Sequence, residues 1–258
     1  MELGLINKSY ICENRHTFDI SKEGYVNFAI GKSESGDSTD MCESRRRFLS
    51  KGYYKNFSDL ICTTVNKYCA PESLVDAGCG EGYYLRMLRE KYTSSEFFGV
   101  DLAKEAIRLA AKSEKQSSYT KNKYCVCGIF SLPFFDNETD AVLSVFAPVA
   151  DKENHRVLKH GGYMYVAGPG KTHLSGLKSA IYSDPYENRE KHNEYEGFTF
   201  CGKECVEYEV TVDGGDIFDL FTMTPYYWKT SKEDSAKLLK LDSLKTALSF
   251  EISVYRKI

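Results

Sequence analysis

The chain has 258 residues, 42% of them apolar and 28% charged, with a net charge of −3, which suits one large domain with a small appendage and excludes a protein wrapped in nucleic acid, though not one with a local basic surface. No apolar run approaches the ~18 residues of a membrane helix, and no basic stretch followed by an apolar block marks a secretory signal. Nine cysteines scattered without a framework fit a reduced, cytoplasmic protein.

From the N-terminus, "SYIC", "HTFDI" and "GYVNFA" predict short strands, with Gly24 and Gly31 as punctuation. Cys12 and His16 stand four positions apart, which is half of a zinc site. The other half, a CxxC upstream, is not found in "MELGLINKSY". The polar stretch "GKSESGDSTD" (31–40) reads as a linker, so residues 1–34 form a small β module and residues 35–258 the main domain. A helical segment is predicted over about 40–70, capped at Ser58 or Asp59 and stopped by Pro71. It contains Arg45, Arg46 and Arg47. That cluster, like the looser one of Lys171, His173 and Lys178, is either a solvated face or a local anion-binding surface.

Strands and helices then alternate: "SLVDAG", helix "GYYLRMLREKY", "EFFGVDLA", helix "AKEAIRLAAKSEK", "KYCVCGI", "DAVLSVFAP", a helix through "ENHRVLKH", and "GGYMYVAGP". Such alternation implies right-handed crossovers and a parallel, doubly wound sheet. "ECVEYEVTVDG" and "LSFEISVYRKI" read as late strands, for which a terminal hairpin is expected. "CVC" (125–127) alternates across a strand and reads as core, and Cys201 and Cys205 of "CGKEC" read as ordinary structural cysteines.

The informative stretch is "LVDAGCGEGYYLRML". A buried strand ends in Asp76, and Gly78, Gly80 and Gly82 form the turn that opens a helix, where a backbone free of Cβ atoms can approach a ligand closely. The next strand ends in Asp101, 23 residues after Gly78, where an acid can accept the two ribose hydroxyls of a nucleoside or cap the following helix.

Together these features resemble the class I S-adenosylmethionine-dependent methyltransferases over residues 70–170, which implies a Rossmann-like α/β fold and S-adenosyl-L-methionine as cofactor. His160 of "LKHGG" stands where that family usually has proline, and Phe130, Ser131 and Leu132 stand where it usually has an acid beside the adenine. The flanking strings "YICENRHTFDISKEGYVNF", "RRRFLSKGYY", "VFAP", "HGGYMYVAGPGKTHLSGLKSAIY" and "MTPYYWK" are similar, in the same order, to the bacterial 23S rRNA (guanine-N1)-methyltransferases. That resemblance implies 23S rRNA as partner, a homodimer, and a zinc-finger-like N-terminal module. It places Tyr54, Asp76, Gly78, Gly80, Glu81, Asp101 and His173 at the cofactor.

A guanine N1 must be aligned with the sulfonium methyl and lose its proton to an acceptor, and a hairpin base must leave its stack. Aromatic and apolar faces suit that task. Phe146, Pro148 and Trp228 are the substrate-side candidates, with Tyr226 and Tyr227 beside them, while Asp184, Glu187 and Glu190 are open as bases. For the half metal site the expectation is a metal-free module held by Tyr10, Phe18, Tyr25 and Phe28. A chain that starts past the missing pair, or completion by Cys42, stays open. A small-molecule methyltransferase and a non-catalytic RNA-binding relative are the alternatives, since cofactor motifs do not name the acceptor.

Overall fold

Strands whose residues are apolar on both faces need cover on both, and the sheet supplies it. In β5 (Ser73–Ala77) and β8 (Thr139–Val145), Leu74, Val75, Ala141, Val142 and Leu143 are fully buried. The structure is a computed structural model that describes residues 3–6, 8–29, 37–114, 122–189 and 193–258. The other strands are β4 (Val26–Asn27), β6 (Glu96–Asp101), β7 (Lys123–Val126), β9 (Leu158–Pro169), β10 (Phe198–Asp213) and β11 (Ser243–Lys257). Among the described residues these eight strands form one sheet in the order β10-β11-β9-β8-β5-β6-β7-β4. It is parallel from β9 to β4, and β11 and β10 add antiparallel strands at one edge. Helices α3 (Tyr83–Lys91), α4 (Lys104–Glu114) and α5 (Asp151–Val157) make the crossovers. The Rossmann-like α/β reading therefore holds.

In the main domain four local expectations change. The helix expected over 40–70 is two helices, α1 (Thr39–Ser50) and α2 (Lys55–Tyr68), broken where Gly52 turns left-handed at φ +83°. The cap is Ser38, whose hydroxyl accepts from the Met41 amide, while Ser58 and Asp59 lie inside α2. The helix through "ENHRVLKH" stops at Val157, because Leu158 already pairs with Thr139 and the Lys257 Nζ takes the carbonyls of His155 and Leu158 at 2.7 and 2.8 Å. Finally, β10 and β11 do pair antiparallel, but no tight turn joins them. Between them run α7 (Gly214–Thr222), α8 (Tyr226–Lys229) and α9 (Lys232–Leu238), while α6 (Ser175–Ile181) follows β9.

The N-terminal module is a three-stranded antiparallel sheet of β1 (Leu3–Ile6), β2 (Ser9–Cys12) and β3 (Thr17–Asp19). Its expected third strand, "GYVNFA", instead leaves as β4 and pairs in parallel with β7. Phe18 meets Phe28 edge to face at 4.9 Å, so the module leans on the large sheet through aromatic contact. The boundary at residue 34 lies outside the described residues. Among the described residues no helix is long and apolar enough to cross a membrane.

Of the arginine run of α1, Arg45 turns to the cavity and Arg47, half exposed, reaches α7. Arg47 holds Asp219 with two hydrogen bonds (2.9 and 2.6 Å), Lys51 lies 3.6 Å from Asp216, and the Tyr53 hydroxyl donates to Asp216 at 3.1 Å. This seam fixes the insertion between β10 and β11 over one end of the sheet.

Candidate active site

A cavity of about 600 Å³ opens there, at the C-terminal ends of β5, β6 and β8, where open α/β sheets place their ligands. A second hollow of about 660 Å³ lies around Pro71, Glu96, Phe134 and Lys159, at the starts of the same strands and away from the glycine turn. The site is therefore assigned to the first. Its floor is the glycine turn and its opposite wall is α1 together with residues 223–226.

The turn is held by its own backbone. The amides of Gly78 and Cys79 both donate to the Val100 carbonyl (2.9 and 3.0 Å), and Gly80 donates to the Asp101 carboxylate at 2.9 Å. Gly78 has φ +89°, and a Cβ there would stand 2.6 Å from the Cβ of Ala147, so the residue must be glycine for conformation and for space. Asp101 uses its other oxygen to accept from the Ala103 amide at 2.8 Å, at the start of α4. Asp101 therefore binds the amide just ahead of α4, as a cap would. Its carboxylate braces turn and helix, and a carboxylate has about four acceptor positions, which leaves room for hydroxyls.

Asp76 is 1% exposed, lines the cavity, and neither of its oxygens has a partner. Burial, and then the charge of Asp101, pushes its carboxyl up to about 8. Asp37 and Arg45 also line the cavity and bond each other. Among the described lining residues three carboxylates thus face one guanidinium. A ligand that fits is one with a positive charge and a body that tolerates the apolar walls of Leu102, Ile129, Phe130 and Val145. A nucleoside with a sulfonium tail meets both conditions.

On the far wall Tyr54 and His173 are both buried, with the tyrosine hydroxyl 3.4 Å from His173 Nε2. Burial and the charge of Lys178 push the imidazole down to about 3, so it stays neutral. Phe146 rims the mouth. It is 47% exposed, holds the left-handed φ of +54° that a non-glycine residue seldom adopts, and lies 5.9 Å ring to ring from His173. Pro148 and Tyr226 line the cavity beside it.

Of the expected cofactor residues, Tyr54, Asp76, Gly78, Gly80, Asp101 and His173 come together here. The Glu81 side chain does not line the cavity. It turns to Arg86, whose guanidinium holds its carboxylate at 2.8 Å and its carbonyl at 2.6 Å. Trp228 is 62% exposed and outside the lining, its indole N–H pointing at the Met41 sulfur at 3.2 Å, and Tyr227 packs on Phe221. Asp184 and Glu187 are not in the lining either, and Glu187 pairs with Lys171 at 3.2 Å. Glu190 lies outside the described residues. The cluster "RRR" hid a cavity residue, Arg45, and nothing local in "MTPY" marked Met223, Thr224 and Pro225 as a wall, although Tyr226 was already a substrate-side neighbour.

For zinc, Cys12 Sγ and His16 Nδ1 do meet, at 3.4 Å. Cys42 does not join them. It packs with Ala103, Ala106 and Leu109, and burial pushes its thiol up to about 12. Among the described residues no cluster of three or more potential ligands exists, so the donors present do not fit a four-coordinate ion.

Residues 71–224 match a family model described as "Methyltransferase domain", and residues 1–29 match the zinc-ribbon model described as "RlmA, N-terminal". The 23S rRNA (guanine(748)-N(1))-methyltransferase of Streptomyces fradiae is 29% identical over 235 residues, covering 88% of this chain and 82% of that relative. A Bacillus subtilis (strain 168) protein, provisionally named a 23S rRNA (guanine-N(1)-)-methyltransferase, is 30% identical over 266 residues, covering 97% and 92%. The crystal structure of the YcgJ protein from Bacillus subtilis shares the fold, with a TM-score of 0.50 at 16% identity over 78% of this chain and 97% of that one.

Proposed function

The chain belongs to the 23S rRNA (guanine-N1)-methyltransferase family, and we propose that it methylates N1 of a guanine in a hairpin loop of 23S rRNA, with S-adenosylmethionine as donor. The observation that carries this reading is the cavity itself. An unpartnered buried carboxylate, Asp76, lies beneath a cradle that only glycine can form, and the strained, half-exposed ring of Phe146 stands at the mouth.

The bound cofactor supplies an activated methyl on sulfur. The chain supplies position and charge. Asp101 would hold the ribose hydroxyls while it braces Gly80, and the turn through Gly80 and Glu81 would hold the methionine portion. Tyr54 and the neutral His173 close that end and exclude water. Phe146 and Pro148 offer faces to a base turned out of its loop. A ribosomal substrate places the reaction in the cytoplasm. A homodimer would double the rim available to a hairpin, and sedimentation at micromolar concentration tests it.

Incubation with labelled cofactor and undermodified 23S rRNA, followed by primer extension, tests the activity. An N1 methyl blocks the pairing edge, so extension stops at one guanine. Label that enters small molecules and never RNA would sink the proposal.

A further inference from the structure

Residues 183–188 form neither helix nor strand, yet a buried lysine holds them. Lys178, on α6, is 1% exposed, and its Nζ donates to the Tyr186 carbonyl at 3.2 Å and to Asn188 Oδ1 at 2.8 Å. Both acceptors are neutral, so the ammonium leaves water without a carboxylate bonded to it, which is costly. Asn188 in turn donates its side-chain amide to the Gly170 carbonyl at 2.8 Å and its backbone amide to the Lys171 carbonyl at 3.0 Å. An apolar side chain would fill the same place on α6 at less cost. What the ammonium adds is the position of this segment.

The segment presents Tyr186. Its ring is 53% exposed, and Lys178 Nζ lies 4.8 Å from the ring centroid. Tyr182 stands 6.0 Å from Tyr186 and meets Tyr226, a cavity residue, edge to face at 6.1 Å. Three tyrosines thus lead outward from the mouth of the cavity to a half-open ring. Asp184 and Glu187 beside it are exposed, and Glu187 pairs with Lys171 at 3.2 Å. Such surroundings do not attract a phosphate, whereas an aromatic face accepts a base of any kind.

We infer that Tyr186 is a second stacking platform, which takes a base next to the target guanine in the same RNA loop, and that Lys178 is the positioning residue that sets it. The inference rests on the rRNA methyltransferase reading. A guanine turned out of its loop leaves its neighbour with an uncovered face, and a ring continuous with the cavity wall covers it. The enzyme would then select a loop by two bases and not by one.

The test uses the full chain and a 23S rRNA hairpin that contains the guanine at which primer extension stops. Two further hairpins carry an abasic site in place of one or the other flanking nucleotide. Tyr186→Ala should weaken binding to the intact hairpin about tenfold and leave the affinity for S-adenosylhomocysteine unchanged, while Tyr186→Phe should keep the wild-type value for both. On one of the two abasic hairpins, wild type and Tyr186→Ala should bind alike. Lys178→Met should weaken binding to the intact hairpin and add no further loss to Tyr186→Ala, and a further loss would remove Lys178 from its positioning role. Unchanged affinity of Tyr186→Ala, or an equal loss on all three hairpins, would overturn the inference while leaving the methyltransferase reading intact. Primer extension that stops at no guanine would overturn both.

Discussion

Asp101→Ala separates the structural duty of this acid from its duty to a ligand. The carboxylate receives the Gly80 amide at 2.9 Å and the Ala103 amide at 2.8 Å, so its removal leaves two partly buried donors. Hydrogen bonds to a charged group contribute roughly 1.5–3 kcal/mol each. Part of that is offset, because burial raises the Asp101 carboxyl and its charged form is costly to keep. A net loss of about 1–3 kcal/mol follows, or a few degrees in Tm for a domain of this size. Cofactor binding loses the ribose acceptors in addition and should weaken at least tenfold, which is roughly 1.4 kcal/mol or more. Denaturant unfolding gives the first quantity, and calorimetry at a temperature where the variant is fully folded gives the second. Asp101→Asn, which keeps one acceptor oxygen, should fall between the two proteins in both. Unchanged affinity in a folded Asp101→Ala protein would refute the placement of the ribose.

Gly78→Ala drives a Cβ to 2.6 Å from that of Ala147 at a φ of +89°, so it should abolish cofactor binding in calorimetry while far-UV circular dichroism stays native. The pH dependence of ligand-free stability has two opposed slopes. The folded Asp76 binds a proton that the unfolded chain has lost above about 4, so its contribution is lost as pH rises through about 8. The neutral His173, down at about 3, acts oppositely and adds stability with rising pH up to its ordinary value of 6.5. Unfolding free energy should therefore be nearly level from pH 5 to 6.5 and fall by about 1.4 kcal/mol per unit from there to about pH 8, and Asp76→Asn should remove the fall. The Arg47–Asp219 pair is half exposed on the arginine side, so a double-mutant cycle should give no more than ~1 kcal/mol, and less at high salt. Elemental analysis of a protein of this sequence should find less than one zinc per chain, since two donors hold the ion weakly; one per chain would refute this.

The glycine turn, Asp76, Asp101 and the alternating strands were legible in the sequence because their chemistry is local. A turn that needs φ above zero shows itself as glycine, and a strand buried on both faces as an apolar run. What could not be read was set across the chain. The break at Gly52 depends on where Tyr54 must dock, 3.4 Å from a histidine 119 residues away. The wall at Met223 to Pro225 follows α7, which Arg47 and Asp219, 172 residues apart, pin to α1, and neither partner announces the other. Glu81 sits in the motif yet faces Arg86, a choice made by a rotamer rather than by spacing.

The same seam bears on how an RNA would be held. Arg47 and Lys51 already face Asp219 and Asp216, Lys171 faces Glu187, and Lys178 is buried beneath Tyr186 and Asn188. Cations already matched by carboxylates or buried displace few counterions from a phosphate chain, so these positions should add little to the slope of log affinity against log salt. Binding would then depend on the shape of one folded loop and on stacking, and would persist at ionic strengths that strip a polycationic protein from its RNA.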